Sequence, residues 1–428
     1  GPEVEEDGAW KTWAWRVAQV NVAARDGEGE EVFLQTKTVA QDVVEGEIKE
    51  WVQSINDELN SIRVEHEAVE EISQEKVDEL VAEGYEVEYA PAKCVFTRKA
   101  GSGRRKTRIV VCSNCFSPGD SLLSGAQGEY GADRSDSLYA AGLDTVALRL
   151  QLRLTSLRMW VLANLDVKTA FLRAPVSTLP KRGGTGRIIV VKPPRLLVRH
   201  GLVPSGTLWK IRRALYGLQE APAAWSAHRD EVMAGMKIDV ANVACCLVQL
   251  RAESNLWKVV EVDTGKVVGM VGVYVDDLLL SGPQPVVDAM IIAFQKLWET
   301  SKPEIPTETH STKFCGLEIK RGVSGSVQLA QRDYVLDLVA RYAEEIPSGQ
   351  QTQPWSGSDD FVEEPEYSTA ELRRGQTLAG ELQWLAQRSR VDIALAVSKM
   401  SQMLTKAPRE AVVRGLRLLA YLRDTQDF

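Results

Sequence analysis

An α+β fold is what this sequence predicts, and three observations carry the prediction. Strand-like apolar runs are interspersed with helical periods, without the regular βαβα alternation that builds a parallel sheet. The stretch "VGVYVDDLLLSG" at 271–282 reads as two short β runs meeting at a pair of aspartates, a hairpin. The C-terminal part is mainly helical, with helical apolar spacing in "STAELRRGQTLAGELQWLAQRS", "DIALAVSKMSQMLT" and "EAVVRGLRLLAYLRDT". The length suggests roughly two to four structural units at about 150 residues each. An apolar fraction of 44% with 26% charged residues is ordinary for a globular chain with a sizeable core.

In chain order, a tryptophan cluster, "WKTWAWRVAQV", precedes the turn-like "RDGEGEEVF", giving a short strand pair or a partly ordered extension. Ile48, Trp51, Val52, Ile55, Leu59 and Ile62 then recur at helical spacing and leave an acidic outer face. At 92–114, "AKCVFTRKAGSGRRKTRIVVCSN" has two β runs around Gly-Ser-Gly, a hairpin whose second half carries Arg104, Arg105, Lys106 and Arg108. Residues 117–142, rich in Gly, Ser and Asp, read as a loop. The next helix, "LDTVALRLQLRLTSLRMW", is expected to have Val146, Leu150, Leu154 and Leu157 as its apolar side. "VLANLDVKTAFL" is a short strand running towards a helix, and "KRGGTGRIIVVKPPRLL" a loop, a strand and a Pro-Pro stop. "LWKIRRALYGLQEAPAAWSAHRDEVM" starts as a strand, turns at Gly217 and becomes helical after Pro222. After the 271–282 hairpin, a helix should turn Val287, Met290, Ile291, Phe294 and Trp298 inward, followed by the strands "FCGLEIKRG" and "SVQLAQ".

The net charge of −8 hides an uneven distribution. Residues 1–90 hold 24 Asp+Glu and 7 Lys+Arg, a net of −17; the chain totals of 59 and 51 leave 35 and 44 for the remainder, a net of +9. The basic remainder is compatible with phosphate binding and also with a solvated surface. No apolar run approaches the roughly 18 residues of a membrane span, and the acidic N-terminus is unlike a signal peptide. The leading Gly1-Pro2 pair is of the kind a protease leaves, so the chain is expected to be a piece of something longer. Cys112 and Cys115 form a CxxC without a second ligand pair, which favours free thiols in a reducing compartment over zinc.

Chemistry concentrates in carboxylates. Asp276 and Asp277 interrupt an apolar run, where an unpaired charge is costly and two adjacent ones repel. Asp is also a common turn residue, so a plain β-turn remains open. Asp166 ends a second apolar strand, where it could instead cap a helix. Brought together, the three would require a hard divalent cation, and magnesium typically takes one or two carboxylates plus substrate phosphates. A pair of such ions suits phosphoryl transfer.

These residues sit in a recognisable order. "NLDVKTAFL", "LYGLQEAPAAW" and "YVDDLLLSG" resemble motifs A, B and C of the reverse transcriptase region of copia-type LTR retrotransposons. "KCVFTRK" with "RRKTRIVVCSN" is similar to the family's fingers hairpin, "FCGLEIKR" to its primer-grip strand, and "YSTAELRRGQTLAGELQWLAQRSRVDIALAVSKMS" to the helical region after the palm. The resemblance covers roughly residues 45–425 and implies a right-hand polymerase. It divides into an extension (1–45), an acidic helical region (46–90), fingers (91–160), a palm (161–320) with an interspersed second fingers segment near 180–225, and a helical thumb (321–428). The chain ends just upstream of the family's RNase H domain, so no RNase H activity is expected of it.

By the same resemblance, Asp166, Asp276 and Asp277 are the catalytic triad, and with Val167 they form the site for two magnesium ions, with manganese as a substitute. Lys106, Arg108, Phe171, Gly217 and Gln219 are implied at the nucleotide, Phe171 by crowding a ribose 2′-hydroxyl. Tyr274, Cys315, Gly316, Leu317, Gln383 and Trp384 are implied along the primer and template. Lys168 is a candidate structural partner of the carboxylates, and the acidic 48–62 helix is expected to face away from the nucleic acid. The implied partners are an RNA template, a DNA primer, their hybrid and a dNTP, without a membrane; the implied location is intracellular, in cytoplasmic virus-like particles, the nucleus or both. Competing readings are a palm polymerase making RNA, a two-metal nuclease, and a domesticated, catalytically silent protein that binds nucleic acid or another partner.

Overall fold

The structure, a computed structural model, describes residues 23–25, 31–33, 37–99, 102–113, 117–118, 142–176, 186–355 and 361–426. The tryptophan cluster, Cys115 and most of the 117–142 and 177–186 loops lie outside them. The fold is α+β. At its centre is an antiparallel sheet of six strands in the order Lys237–Val240, Val243–Gln249, Leu256–Glu261, Val267–Tyr274, Asp277–Gly282 and Val161–Asp166. Five strands form a meander, and the sixth comes from about a hundred residues upstream. Its free edge is bridged by a later segment, through Asn164 to Glu304 and Val167 to Thr300.

Alternation sorts the side chains onto two faces. Leu165, Val271, Val273, Leu278 and Leu280 pack with Trp225, Val287, Met290 and Phe294 from the helices Ala221–Ala234 and Gln284–Leu297. Leu162, Met270 and Leu279 pack on the opposite side with Leu148 and Leu152 of the helix Thr145–Leu157. That second core also takes in Phe314, Leu317 and Ile319 from a three-stranded sheet, Thr312–Phe314, Leu317–Arg321 and Val327–Ala330.

A mixed sheet of seven strands is built mostly from residues before this unit, with two strands inserted after Val161–Asp166. Its path runs Lys37–Val39, Glu86–Arg98, Arg187–Lys192, Leu208–Ile211 and Val69–Ile72, with Arg105–Val111 and Ser117–Pro118 also paired to Glu86–Arg98. The pair of Glu86–Arg98 with Arg187–Lys192 is parallel. At the C-terminus, helices Arg332–Arg341, Thr369–Arg388, Ala394–Met403 and Pro408–Asp424 share a separate core around Leu338, Leu378, Leu382, Met400 and Leu419. A capping box between Ser368 and Glu371 starts the longest of them.

Three expectations need correction. Thr145–Leu157 buries Leu148, Gln151, Leu152 and Thr155, whereas Val146, Leu150 and Leu157 are exposed. Polar Gln151 is tolerated inside because its amide donates to the Leu279 carbonyl at 2.8 Å and to Ser281 Oγ at 3.2 Å. The acidic helix, Ile48–Asn60, does not turn all its acid away: it packs on Arg105–Val111 and buries Glu58. Glu58 ion-pairs with Arg108 at 3.1 Å and accepts from the Ile109 N–H at 3.2 Å, while Glu50 pairs with Arg105. Finally, "FCGLEIKRG" is a hairpin rather than one strand. Phe314 pairs with Leu317 across Cys315 and Gly316, whose φ values of +52° and +72° suit a two-residue turn.

Candidate active site

The hairpin and its upstream neighbour bring the three aspartates to one end of the central sheet. Tyr274 pairs with Asp277 across a turn of Val275 and Asp276, and Asp277 pairs on its other side with Asp166. Directly opposed residues of antiparallel strands have Cα atoms about 4.5–5.5 Å apart. Asp276 is tied to the same edge, because its carbonyl accepts from the Val167 N–H at 2.9 Å. Asp166 is gripped by Ser301: the Ser301 N–H donates to the Asp166 carbonyl at 2.8 Å, and the Asp166 N–H donates to Ser301 Oγ at 3.0 Å. The turn is strained, since Val275 has a φ of +56° and a β-branched residue rarely adopts that region.

Burial, then Asp276, Asp166 and Glu304, push the Asp277 carboxyl up to about 7. Burial and Asp166 also raise Asp276. Among the described residues, none of the three forms an ion pair with a Lys or Arg, so their repulsion lacks a protein counter-charge at contact distance. Lys168 does not supply one: it pairs with Glu299 at 2.6 Å. An oxygen-only, uncompensated set fits a hard divalent cation. It is not a ready-made cage, since no group of three acidic, His or Cys side chains is drawn together tightly enough to hold an ion among the described residues. The coordination would be completed from outside the chain. Val167 has a hydrocarbon side chain without a ligating atom, so only its backbone carbonyl could contribute.

Cations and aromatic rings adjoin the carboxylates. Burial, and repulsion by Arg108, Lys99 and Arg104, lower the Lys106 ammonium to about 8. Arg108 lies 4.6 Å over the Tyr216 ring while paired to Glu58, so its charge is already partly used. Burial pushes the Tyr216 hydroxyl up to about 12, and Asp276 and Asp166 also act on it. Phe171 meets Tyr216 edge-on at 5.5 Å. Gly217 has a φ of +87°, and a Cβ there would fall 2.2 Å from the Val111 carbonyl oxygen. This glycine is required by its backbone and by close strand contact. Gln219 is exposed beside it.

On the other side, Tyr274 packs edge-on against Phe314 at 6.4 Å. A Cβ on Gly316 would lie 3.2 Å from the Trp384 ring, and Arg388 covers that ring at 4.5 Å. The structure thus brings Gly316 and Trp384 together across two units. Gln383 is half-buried on the same helix. Leu317 and Cys315, at 1% and 6% exposure, turn their side chains into the core around Phe314. Sequence reasoning missed Tyr216, Trp225, Ser301, Glu304 and the Glu58–Arg108 pair. The only signal for Tyr216 and Trp225 was that both fall within "LYGLQEAPAAW"; for the others there was none.

Comparison with known proteins identifies a family. The reverse transcriptase (RNA-dependent DNA polymerase) family pattern matches residues 75–346. The Pol polyprotein from transposon RE1 of Arabidopsis thaliana is 25% identical over 89% of this chain, and that of RE2 is 23% identical over 88%. The transposon Ty5-1 protein YCL074W of Saccharomyces cerevisiae is 26% identical over 61% of the chain and 76% of its own length. The chain spans only 23% of the length of the RE1 and RE2 polyproteins. Telomerase from Candida albicans, in a structure with a fragment of telomeric RNA, aligns with 91% of this chain and 66% of its own at 8% identity and a TM-score of 0.36, too slight a likeness to carry weight. With the family pattern matching more than half of its length, the chain belongs to the reverse transcriptase family of RNA-dependent DNA polymerases and carries a reverse transcriptase region of the copia retrotransposon type.

Proposed function

We propose that the chain extends a DNA primer on an RNA or DNA template, using magnesium and dNTPs, in the replication of a retrotransposon. The observation that carries this reading is the register that sets Asp166 opposite Asp277, with Asp276 on the adjoining turn. In this reading the central sheet is a palm, the N-terminal sheet fingers and the C-terminal helices a thumb. Asp166 and Asp276, with Asp277 close by, hold two magnesium ions together with the nucleotide's phosphates. Magnesium held there would favour loss of the primer 3′-hydroxyl proton to solvent and would offset charge on the leaving pyrophosphate. The 3′-oxygen forms a bond to the α-phosphorus as the bond to pyrophosphate breaks.

The chain's own contribution is placement and charge. Lys106, the less committed of the two inner cations, meets the triphosphate, with Arg108 behind it. Phe171, braced by Tyr216, crowds the position of a ribose 2′-hydroxyl. Gly217 lets backbone approach the nucleotide, with Gln219 beside it. Tyr274, the Cys315–Gly316 turn and the face bearing Gln383 and Trp384 flank the duplex, whose A-form minor groove is wide and shallow. The working place is inside the cell, in virus-like particles, the nucleus or both.

Primer extension on an RNA template with magnesium tests the reading. The wild type is expected to extend the primer with dNTPs and not with ribonucleotides. Asp166→Asn and Asp276→Asn should lose extension by about a hundred- to a thousandfold and still bind duplex, a loss in keeping with preorganised charge stabilisation. An inactive wild type across metals and templates would instead mark a silent nucleic-acid binder, and an active Asp276→Asn protein would remove the proposed site.

A further inference from the structure

Four tryptophans are among the largest fully buried side chains: Trp51, Trp209, Trp225 and Trp257. The indole N–H groups of Trp51, Trp209 and Trp257 have no hydrogen-bond partner among the described residues. That of Trp225 donates at 2.7 Å to the carbonyl of Val275, the left-handed residue of the turn that carries Asp276. Trp225 is itself fixed, projecting from the helix Ala221–Ala234 against the Trp298 ring at 5.4 Å. Trp298 in turn stacks on Phe294 at 6.0 Å. The helix supplying this donor starts shortly after Gly217 and has Pro222 in its first turn.

A β-branched residue in the left-handed region persists only when its surroundings over-determine it. Two forces act to release this turn: the backbone preference of valine, and repulsion among Asp166, Asp276 and Asp277. Relaxation would rotate the Val275–Asp276 peptide and carry the Asp276 carboxylate away from Asp166. The Val167 N–H holds the far side of that peptide unit's successor, at the Asp276 carbonyl, and the Trp225 N–H holds the near side, at the Val275 carbonyl. Two donors on consecutive carbonyls fix the turn's orientation.

We propose that Trp225 is a positioning residue, whose indole N–H holds the Val275 carbonyl, keeps the turn left-handed and thereby sets Asp276 and Asp277 against Asp166 for divalent-cation binding. The proposal rests on the reading of these carboxylates as a cation site. Trp225 touches no substrate and acts through the turn.

Manganese binding to the full chain, followed by the loss of the free-ion electron paramagnetic resonance signal, tests it without catalysis. Trp225→Phe removes the donor and is expected to weaken binding about tenfold, the lower end of the range for groups that orient metal ligands. Val275→Gly alone should change binding less than threefold, because glycine adopts positive φ without strain. In the Trp225→Phe background, Val275→Gly should recover most of the lost affinity, which repair of a damaged core would not do. Should Trp225→Phe unfold, replacing the indole with benzothiophene removes only the N–H donor, and the same weakening and rescue are expected. Wild-type affinity in a folded donor-less protein, or no rescue by glycine, overturns the role of Trp225. Wild-type binding that is absent, or that survives Asp276→Asn unchanged, overturns the cation site itself, a separate failure that takes the proposal with it.

Discussion

Asp277 shows what the site costs the fold. Its carboxyl moves from an ordinary 3.8 to about 7, chiefly because it is buried and secondarily because Asp276 and Asp166 face it. A carboxyl raised in the native state binds its proton more tightly there than in the unfolded chain. The stability it lends is therefore complete below about pH 4 and is lost as the pH rises towards about 7. Without divalent cations, the protein should thus lose stability from pH 5 to pH 7.5 in this respect, and Asp277→Asn, which keeps the shape and drops the charge, should be more stable than the wild type at pH 7.5 by about 1–2 kcal/mol. At pH 5 the gain should be smaller, roughly half of that or less, because only part of the interval between the two pKa values has been crossed. Urea unfolding midpoints of both proteins at the two pH values, in the presence of a chelator, read this directly. A variant no more stable than the wild type at pH 7.5 would mean that the charge is already compensated within the chain.

At the scale of elements, the segment around Gly217 couples two sheets. The Tyr216 carbonyl accepts from the Val111 N–H at 2.8 Å, and the Gly217 carbonyl accepts from Ser113 Oγ at 2.7 Å. The end of Arg105–Val111, which carries Lys106 and Arg108, is therefore pinned to the segment leading into the Trp225 helix. Gly217→Ala meets two penalties, a positive φ and a Cβ 2.2 Å from the Val111 oxygen. It should cost about 2 kcal/mol or more of stability, and nucleotide binding should weaken beyond what the fold loses. Thermal melts set beside dNTP concentration series check this; an alanine variant with unchanged melting and unchanged nucleotide response would show that the segment can give way. The turn glycine was legible because strand, turn and helix signals follow one another within a few residues. The buried face of Thr145–Leu157 was not, because Val146, Leu150 and Leu157 make as regular a stripe as Leu148 and Leu152. The choice between the stripes is made by partners distant in sequence, the Leu279 carbonyl and Ser281 Oγ, which accept from the Gln151 amide N–H groups.

For the molecule as a whole, composition misleads where distribution informs. The strand ends bearing the aspartates could be read from the sequence, yet their register could not, since the pairing of Val161–Asp166 with Asp277–Gly282 is decided by two packed faces rather than by a local turn. Charge behaves similarly. The net charge of −8 would disfavour a polyanion, but the −17 of residues 1–90 is partly consumed within the fold, where Glu47, Glu50 and Glu58 pair with Arg98, Arg105 and Arg108. The +9 of the remaining chain is thus reduced along the strands Glu86–Arg98 and Arg105–Val111 and persists elsewhere. Binding of an RNA–DNA duplex should consequently be driven by a modest number of phosphate contacts. With about four to six of them, the logarithm of the association constant should fall with the logarithm of salt concentration at a slope of roughly −3 to −5. Asp276→Asn should leave that slope unchanged, because it alters the reacting centre and not the backbone contacts. Fluorescence anisotropy of a labelled duplex across a salt series measures both quantities. A slope near zero would mean that stacking and shape, rather than phosphate neutralisation, hold the duplex, and would remove the functional weight given to the basic remainder of the chain.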